Sequence, residues 1–327
     1  MKISVAVITY NQQETIAQTL DSILCQKGDF QLEVVVGEDC STDNTGTICQ
    51  EYVTRYPEQV VLLDNKQNMG IMRNFANTIK HCTGDLLAIC AGDDYWCDAM
   101  KLQKQKDFLY THPQYGVCTT SGYRYLVRRN EMVAGVAPLN PVKDGNVKPF
   151  YFSSDYRGGV YAMPLTMLFR RDLLQFIDFD TFITRGFPVE DYPMQAILAQ
   201  HTLWGHIADK TVVYRVYSDS ATFISYDNPK YMAYHRGLMD IRKYLEELYP
   251  GQTGYTQELA EEYVFYREYL MHLHYGNFRK AKQLVDACTL DKPKVNKARK
   301  MVANRLVFHL FRWYKTLSIK NDLKQRT

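Results

Sequence analysis

Adjacent carboxylates stand directly after two apolar runs of the sequence. Glu38-Asp39 follows a Val-rich run, and Asp93-Asp94 follows a second apolar run. Carboxylates that share a crevice can accept hydrogen bonds from a nucleobase or a ribose, and they can hold a hard cation beside a diphosphate. Acidic turns also cap helices without taking part in chemistry. Each pair alone leaves both interpretations open, and it is their joint placement that favours the chemical one.

A third acidic pair, Glu190-Asp191, precedes apolar residues at helical spacing from Pro193 to Leu198. A positioned carboxylate can take the proton of an acceptor hydroxyl in a transition state, and this makes the hydroxyl a better nucleophile. We expect the like charge of Glu190 to raise the pKa of its neighbour toward a useful range. Asp191 can also serve as the N-cap of the helix, and the two roles are compatible.

The elements that position these carboxylates alternate between strand and helix over the first 125 residues. Such alternation predicts a mostly parallel sheet with right-handed crossovers, and ligands bind beyond the carboxyl ends of its strands. The polar residues after strands one, two and four are therefore expected to meet at one edge. The pattern predicts strands at 3–8, 32–37, 60–63 and 86–91, and helices at 14–25, from 41–42 onward, at 71–81 and at 100–111.

The second half of the chain carries weaker signals. Residues 126–165 show little periodicity, and a long segment of this kind is more often a binding loop or lid than an inert connection. Further on, the pattern predicts strands at 165–169 and 211–217 and a helix at 193–200. The sequence beyond residue 228 is mostly helical in pattern.

The sequence resembles the family 2 glycosyltransferases, which are inverting enzymes of GT-A fold that use nucleotide sugars. The resemblance covers residues 3 to about 220 and consists of an ordered set of motifs, of which the C-terminal ones are less specific. The matching segments are Val5–Asn11, Glu38–Asp43, Asn68 and Gly70 with Arg73 and Asn74, Gly92–Trp96, Thr166–Arg171, Glu190–Pro193 and Val213–Ser218.

The resemblance implies an α/β fold of GT-A type, Rossmann-like, with a mostly parallel sheet flanked by helices. It implies a catalytic domain over 1–225 and a helical C-terminal extension over 226–327. It places Asp39 against a nucleobase, usually uracil, Asp93 on a Mn²⁺ or Mg²⁺ ion, and Asp191 in the position of the catalytic base. The other donor-binding positions that it implies are Thr9, Tyr10, Asn11, Glu14, Arg73 and Arg215.

Two positions depart from the family pattern. The first acidic position of the metal motif is Ala91, and the usual His of the last motif is Tyr217. A metal ion can still rest on Asp93, the substrate phosphates and water, because Mg²⁺ commonly keeps several waters. The resemblance thus implies an active transferase that extends a glycan or lipid-linked glycan of a bacterial surface polysaccharide. The alternative is a catalytically impaired scaffold of the same fold that binds a nucleotide or a glycan.

Composition limits the competing functions and the location. The segment Thr9–Glu14 after the first strand lacks glycine, which disfavours a dehydrogenase or a nucleotidyltransferase with a glycine-rich phosphate loop. No run approaches the ~20 apolar residues of a membrane span. The first strand begins near Ile3, and the eight cysteines show no metal-binding spacing. We therefore expect a cytoplasmic protein.

Charge is distributed unevenly along the chain. Residues 279–327 contain 14 Lys and Arg against 3 Asp, a balance of +11, so the preceding residues carry 3 − 11 = −8. Aromatic and aliphatic residues alternate with Arg and Lys over 305–315, a pattern typical of a helix on an anionic membrane surface. The alternative is a helix that packs its apolar face on the catalytic domain. Nucleic acid is disfavoured as a partner, because the body is acidic.

Overall fold

The computed structural model of the chain describes residues 1–63, 65–136, 162–217 and 226–326. The chain divides into two compact units. The first, here called the sheet unit, comprises Met1–Tyr125 and Asn130–Arg215, and the second, the helical unit, comprises Leu126–Arg129 and Val216–Thr327. The predicted domain boundary at residue 225 lies outside the described residues.

Parallel strands form the half of the sheet that carries the first two acidic pairs. Strand β1 pairs with β2 on one side and β4 on the other, in the order β3-β2-β1-β4. Thr9 aligns with Glu38 and Ile8 with Ala91, so the three strands end at the same edge. The elements are β1 Lys2–Thr9, α1 Ile16–Leu24, β2 Gln31–Glu38, α2 Thr45–Arg55, β3 Val60–Leu62, α3 Ile71–His81 and β4 Leu86–Ala91.

Antiparallel strands extend the sheet from β4 in the order β8-β6-β9-β5, and β7 pairs with β6. Antiparallel pairing joins β4 to β8, β8 to β6 and β5 to β9. The elements are β5 Tyr95–Trp96, α4 Lys101–Thr111, β6 Tyr115–Leu126, β7 Glu131–Val136, β8 Leu168–Arg170, α5 Phe179–Arg185, α6 Asp191–His201 and β9 Leu203–Val216, with 3₁₀ turns at Val127–Arg129, Pro164–Thr166 and Arg171–Phe176.

The predicted α/β class is confirmed, whereas the prediction for residues 126–165 is partly wrong. Residues Glu131–Val136 form strand β7, and residues 137–161 lie outside the described part of the chain. Strand β6 escaped prediction because its buried positions include hydroxyl side chains. Thr120 shares a hydrogen bond of 2.7 Å with Thr211 Oγ1, and Thr119 donates to the carbonyl of Gly205. Such satisfied polar groups hide the alternation that marks a strand.

A buried lysine connects α4 to the sheet. Lys101, on α4, is fully buried; its Nζ donates to Gln105 Oε1 at 2.8 Å and lies 4.3 Å from the ring centroid of Trp96. The side-chain amide of Gln105 donates in turn to the carbonyls of Cys118 and Thr166. Burial lowers the pKa of Lys101 to about 7. The cluster ties α4 to β5, to β6 and to the turn before β8.

The helical unit consists largely of five helices, α7 Tyr231–Leu248, α8 Gln257–His274, α9 Phe278–Ala287, α10 Pro293–Val302 and α11 Arg305–Arg326. Helices α8 to α11 share an apolar core to which Tyr269, Val295 and Phe308 contribute fully or almost fully buried side chains. The predicted helical character beyond residue 228 is therefore confirmed. Among the described residues, no helix is both long and apolar enough to cross a membrane.

Candidate active site

Hydrogen bonds join the loops that follow β1 and β2. The backbone N–H of Asn11 donates to Ser41 Oγ at 2.9 Å, and the N–H of Thr42 donates to Asn11 Oδ1 at 2.8 Å. Asn11 and Cys40 adopt left-handed backbone angles, with φ of +53° and +57°. Each such non-glycine residue costs about 1 kcal/mol. The cross-loop hydrogen bonds offset this cost and fix the shape of the edge.

Asp39 is buried at this edge, and both of its carboxylate oxygens are already bound. Oδ1 accepts the backbone N–H of Met69 at 2.7 Å, and Oδ2 accepts that of Gly70 at 2.9 Å. The side-chain amide of Asn68 donates to the Asp39 carbonyl at 3.1 Å. Each carboxylate oxygen keeps further acceptor capacity. The carboxylate is therefore held in one orientation and can still accept a hydrogen bond from a ligand.

Two hydroxyl groups at the start of α1 hold the turn that contains Asp93 and Asp94. Thr15 and Thr19 donate to the carbonyl of Gly92, with oxygen–oxygen distances of 2.8 and 3.0 Å. Thr19 Oγ1 also lies 2.6 Å from the carbonyl oxygen of Asp94. A Cβ atom at Gly92 would lie 2.6 Å from Thr9 Oγ1, so this position excludes any side chain. The turn is therefore pressed against the end of β1.

The two carboxylates of this turn have different surroundings. Asp94 is buried and its Oδ1 accepts the backbone N–H of Arg215 at 2.8 Å, whereas Asp93 is half-buried. Burial raises the pKa of Asp93 above its usual range, and burial together with the charge of Asp93 raises the pKa of Asp94 further. Among the described residues, no side chain donates a hydrogen bond to the Asp93 carboxylate. Asp93 is thus the group of the turn that is open to a ligand.

Arg215 braces this turn from the end of β9. Its guanidinium donates to the backbone carbonyl of Asp93 and to Gln18 Oε1, and it lies 4.7 Å from the ring centroid of Tyr95. The side chain is buried, and its charge opposes the rise in the pKa of both aspartates. A guanidinium has further N–H donors. The contacts that Arg215 makes hold the turn in position. Its predicted contact with a diphosphate stays a prediction.

Asp191 is the first residue of α6 and is half-buried. Burial raises its pKa to about 6, although hydrogen bonds from backbone N–H groups, that of Tyr192 first, act in the opposite direction. Burial also raises the pKa of Glu190. The expected cause was the charge of Glu190, and that explanation is wrong, because desolvation produces the shift. Glu190, rather than Asp191, occupies the N-cap position, and it makes no side-chain capping bond.

The remaining predicted donor-binding residues differ in exposure. Thr9 is buried and donates to Gln12 Oε1 at 2.8 Å, while Tyr10 and Glu14 are exposed beside it. Arg73 is exposed in the first turn of α3 and has no hydrogen-bond or ionic partner among the described residues. The structure thus brings Thr9, Tyr10, Asn11, Asp39 and Asp93 to one edge of the sheet. No hydrogen bond between described residues joins Asp191 to this group.

Sequence reasoning did not find the residues that hold the site. Thr15 and Thr19 stand four residues apart and are buried at the start of an otherwise apolar helix face. Buried hydroxyls at helical spacing were the available signal, because buried polar groups need partners. Gln18 carried no signal, since its partner Arg215 is distant in sequence.

A divalent cation fits the site only with help from the substrate. Within the described ranges, no group of three or more His, Cys, Asp or Glu side chains could hold a metal ion. Ala91 supplies no ligand atom, and the Asp94 carboxylate already binds the Arg215 N–H. Asp93 offers one accessible, desolvated carboxylate. Mg²⁺ is commonly bound through one or two carboxylates, substrate phosphates and water, so one protein ligand is compatible with this ion.

The family model described as glycosyl transferase family 2 matches residues 4–177, more than half of the chain. The chain belongs to this family. The matched segment contains the loops after β1 and β2, the Asp39 carboxylate and the Gly92–Asp94 turn. The sequence resemblance is therefore confirmed for the part of the chain that builds the edge described above.

Two bacterial proteins are similar to parts of the chain. The uncharacterized protein Rv1520 of Mycobacterium tuberculosis is 41% identical over 115 residues, which are 35% of this chain and 33% of that protein. The putative glycosyltransferase EpsE of Bacillus subtilis is 34% identical over 119 residues, 36% of this chain and 42% of that protein. The matched segments thus span well under half the length of these relatives.

A solved structure shares the fold of this family 2 chain. Residues 1–349 of Staphylococcus aureus TarS, crystallised with UDP-GlcNAc, superpose with a TM-score of 0.55 at 16% sequence identity, covering 96% of this chain and 92% of that one. At this identity the likeness concerns the fold. It confirms the GT-A architecture that the sequence resemblance implies.

Proposed function

We propose that this family 2 glycosyltransferase transfers a sugar from a UDP-linked donor to an acceptor hydroxyl with inversion at the anomeric carbon. The observation that carries the proposal is the prearranged edge, where Asp39 is fixed by two backbone N–H groups and the half-buried Asp93 follows β4, on the other side of β1. The UDP-GlcNAc complex of the structurally similar TarS supports the choice of nucleotide.

The proposed mechanism assigns separate roles to the three carboxylates. Asp39 accepts a hydrogen bond from the nucleobase, and Asp93 faces the diphosphate. A divalent cation bound there through Asp93 and the phosphates would offset the charge of the leaving group. Asp191 takes the proton of the acceptor hydroxyl. At the same time the acceptor oxygen bonds to the anomeric carbon, and the bond between that carbon and the diphosphate breaks. Attack from the face opposite the diphosphate inverts the configuration.

We infer the acceptor class from the relatives. TarS is described as a poly(ribitol-phosphate) β-N-acetylglucosaminyltransferase, so its acceptor is a polymer. The acceptor proposed here is a glycan or lipid-linked glycan of a bacterial surface polysaccharide, extended on the cytoplasmic side of the membrane. The sugar of the donor is hexosyl or N-acetylhexosaminyl.

Calorimetry tests this proposal with UDP, GDP, CMP and dTDP, each with and without Mn²⁺ or Mg²⁺. We expect UDP to bind, metal to strengthen its binding, and Asp93→Ala to remove the metal effect. Asp180→Ala, which alters an exposed carboxylate on α5, is the matched control and should bind as the parent does. If the affinity for UDP is the same with and without metal, the cation has no place in the mechanism. Absence of nucleotide binding under every condition would overturn the proposal and favour the scaffold interpretation.

A further inference from the structure

Helix α11 presents an exposed apolar face. Leu306, Leu310 and Trp313 are 68%, 57% and 65% exposed. Their spacing of four and three residues places them on one side of a helix. Tyr314 adds a further exposed ring at 61%. Large apolar side chains gathered on one helix face generally mark an interaction surface, whereas scattered ones do not.

The opposite face of α11 is already anchored in the helical unit. Phe308 is fully buried and meets Phe278 edge to face at a centroid distance of 5.4 Å. Phe311 packs against the same core, and Arg312 Nε donates to the carbonyl of His274 at 3.0 Å. The helix is thus held through Phe308, Phe311 and Arg312. The exposed face takes no part in this packing.

Positive charge is concentrated in the segment of the chain that contains the exposed face. Residues 279–327 carry 14 Lys and Arg against 3 Asp. Many of the basic side chains are exposed, namely Arg279, Lys280, Lys282, Lys294, Lys297, Lys300 and Arg305. An anionic surface complements this charge, and Leu and Trp side chains are suited to the boundary between headgroups and acyl chains. A nucleic acid would match the charge but would leave the apolar face exposed to water.

We propose that Leu306, Leu310 and Trp313 form a docking face that inserts into the surface of a bilayer containing anionic phospholipid. The aliphatic and indole side chains enter the headgroup boundary, and exposed Lys and Arg residues of the same unit bind lipid phosphates. Docking itself is independent of the proposed transfer reaction. Its benefit, access to a lipid-linked acceptor, rests on the proposed function.

Tryptophan fluorescence gives a specific reporter for this docking. The chain has three Trp, of which Trp96 and Trp204 are buried in the sheet unit at 3% and 1% exposure, while Trp313 is exposed. Vesicles of phosphatidylcholine with about a third phosphatidylglycerol should shift the emission to shorter wavelength. Vesicles of phosphatidylcholine alone should not. Trp313→Phe should abolish the shift.

Vesicle flotation of the full chain provides the quantitative test. We expect Leu310→Glu to weaken binding to the anionic vesicles by at least about tenfold, equivalent to about 1.4 kcal/mol. Tyr110→Glu changes a large residue on α4 that is even more exposed, at 73%, and should bind as the parent does. UDP binding and circular dichroism should be unchanged in Leu310→Glu, so loss of docking is distinguishable from unfolding and from failure of the proposed function.

Several results would overturn the docking proposal. Equal binding to neutral and anionic vesicles contradicts the role of charge, and full binding by Leu310→Glu contradicts the role of the face. A concentration-dependent dimer in sedimentation that Leu310→Glu abolishes would assign the face to a second copy of the chain. Binding to anionic nucleic acid that Leu310→Glu weakens equally would assign it to that partner.

Discussion

At the scale of single residues, burial changes the proton affinity of the Asp191 carboxylate, which we propose as the catalytic base. Water stabilises an ionised carboxyl group, and partial removal of water raises the pKa of Asp191 to about 6. A carboxylate with a pKa closer to the working pH accepts a proton more readily. Its position in the first turn of α6 places the negative charge near the positive end of the helix dipole, which favours the ionised form and limits the rise in pKa.

We predict that Asp191→Asn lowers the transfer rate by about 10²–10⁴-fold. UDP binding should be unchanged, because the proposed mechanism assigns Asp191 to the acceptor rather than to the nucleotide. A base acts in its deprotonated form, so kcat/KM of the parent should rise with pH through about 6 and then level off. Initial rates of UDP release measured across pH test the loss of rate and the pH dependence, and calorimetry tests UDP binding.

Glu190→Gln is the matched control for this prediction, because it alters the adjacent carboxyl group, whose pKa burial also raises. Glu190→Gln should retain the transfer rate of the parent and the same rise of kcat/KM with pH. If Glu190→Gln loses activity and Asp191→Asn keeps it, the base is Glu190. If both variants retain full activity while folded, the proton acceptor lies elsewhere.

At the scale of elements, the start of α1 determines the position of the Asp93 turn. Thr19→Val keeps the shape of the side chain but removes the hydroxyl that lies near the carbonyls of Gly92 and Asp94. We predict a loss of about 1–3 kcal/mol in the free energy of unfolding, since buried carbonyls lose a donor. Metal-dependent UDP binding should weaken more than metal-free binding.

Urea unfolding and calorimetry measure these two effects. Thr54→Val is the control, because its hydroxyl forms a comparable hydrogen bond, to the carbonyl of Gln50, on the exposed surface of α2. It should change stability by less than about 0.5 kcal/mol. Equal losses in the two variants would show that the turn does not depend on Thr19.

Lys101 on α4 should make the free energy of unfolding depend on pH. Its pKa falls from 10.5 to about 7 on folding, so between these values the unfolded chain binds more protons than the folded chain. Stability from this group therefore increases as pH rises from about 7 toward 10.5 and is constant below about 7. We predict that Lys101→Met removes this increase, which is on the order of 2–4 kcal/mol. Urea unfolding of both proteins across this range provides the measurement.

Lys104→Met is the control for this experiment, because Lys104 lies on the same helix and pairs at the surface with Asp98 and Asp209. Its substitution should leave the rise with pH in place. A parallel pH dependence of the parent and Lys101→Met would show that another group is responsible.

The sequence predicted elements well where burial and periodicity agree. The bounds of β4 and α3 were predicted to the residue, because β4 is apolar throughout and α3 places its apolar residues at regular spacing. Strand β9 begins eight residues earlier than predicted, at Leu203 rather than 211, because a polar stretch interrupts it. The convergence of Asp39 and Asp93 followed from parallel topology. The contacts of Arg215 did not, because they join segments distant in sequence.

At the scale of the whole molecule, the chain consists of two compact units with separate cores. The basic residues are concentrated in the helical unit, whereas the residues that we assign to the donor lie in the sheet unit. A chain divided in this way is expected to unfold in more than one transition. A ligand that binds only native protein stabilises the unit to which it binds.

We predict two transitions in differential scanning calorimetry, of which UDP raises only one. With UDP at about 100 times its Kd, the stabilisation should be about 2.7 kcal/mol. Asp39→Asn should abolish the shift, whereas Asp227→Asn in the helical unit should not change it. A single transition that UDP shifts as a whole would show that the units unfold together.

The hydrogen bonds that hold Asp39 also have a kinetic consequence. A carboxylate fixed by the N–H groups of Met69 and Gly70 need not rotate or reorganise its loop when a nucleotide arrives. Association should then be a single step whose observed rate increases linearly with UDP concentration, and differences between related nucleotides should lie in their dissociation rates. The nucleobase would thus be discriminated by how long it stays bound rather than by how quickly it enters.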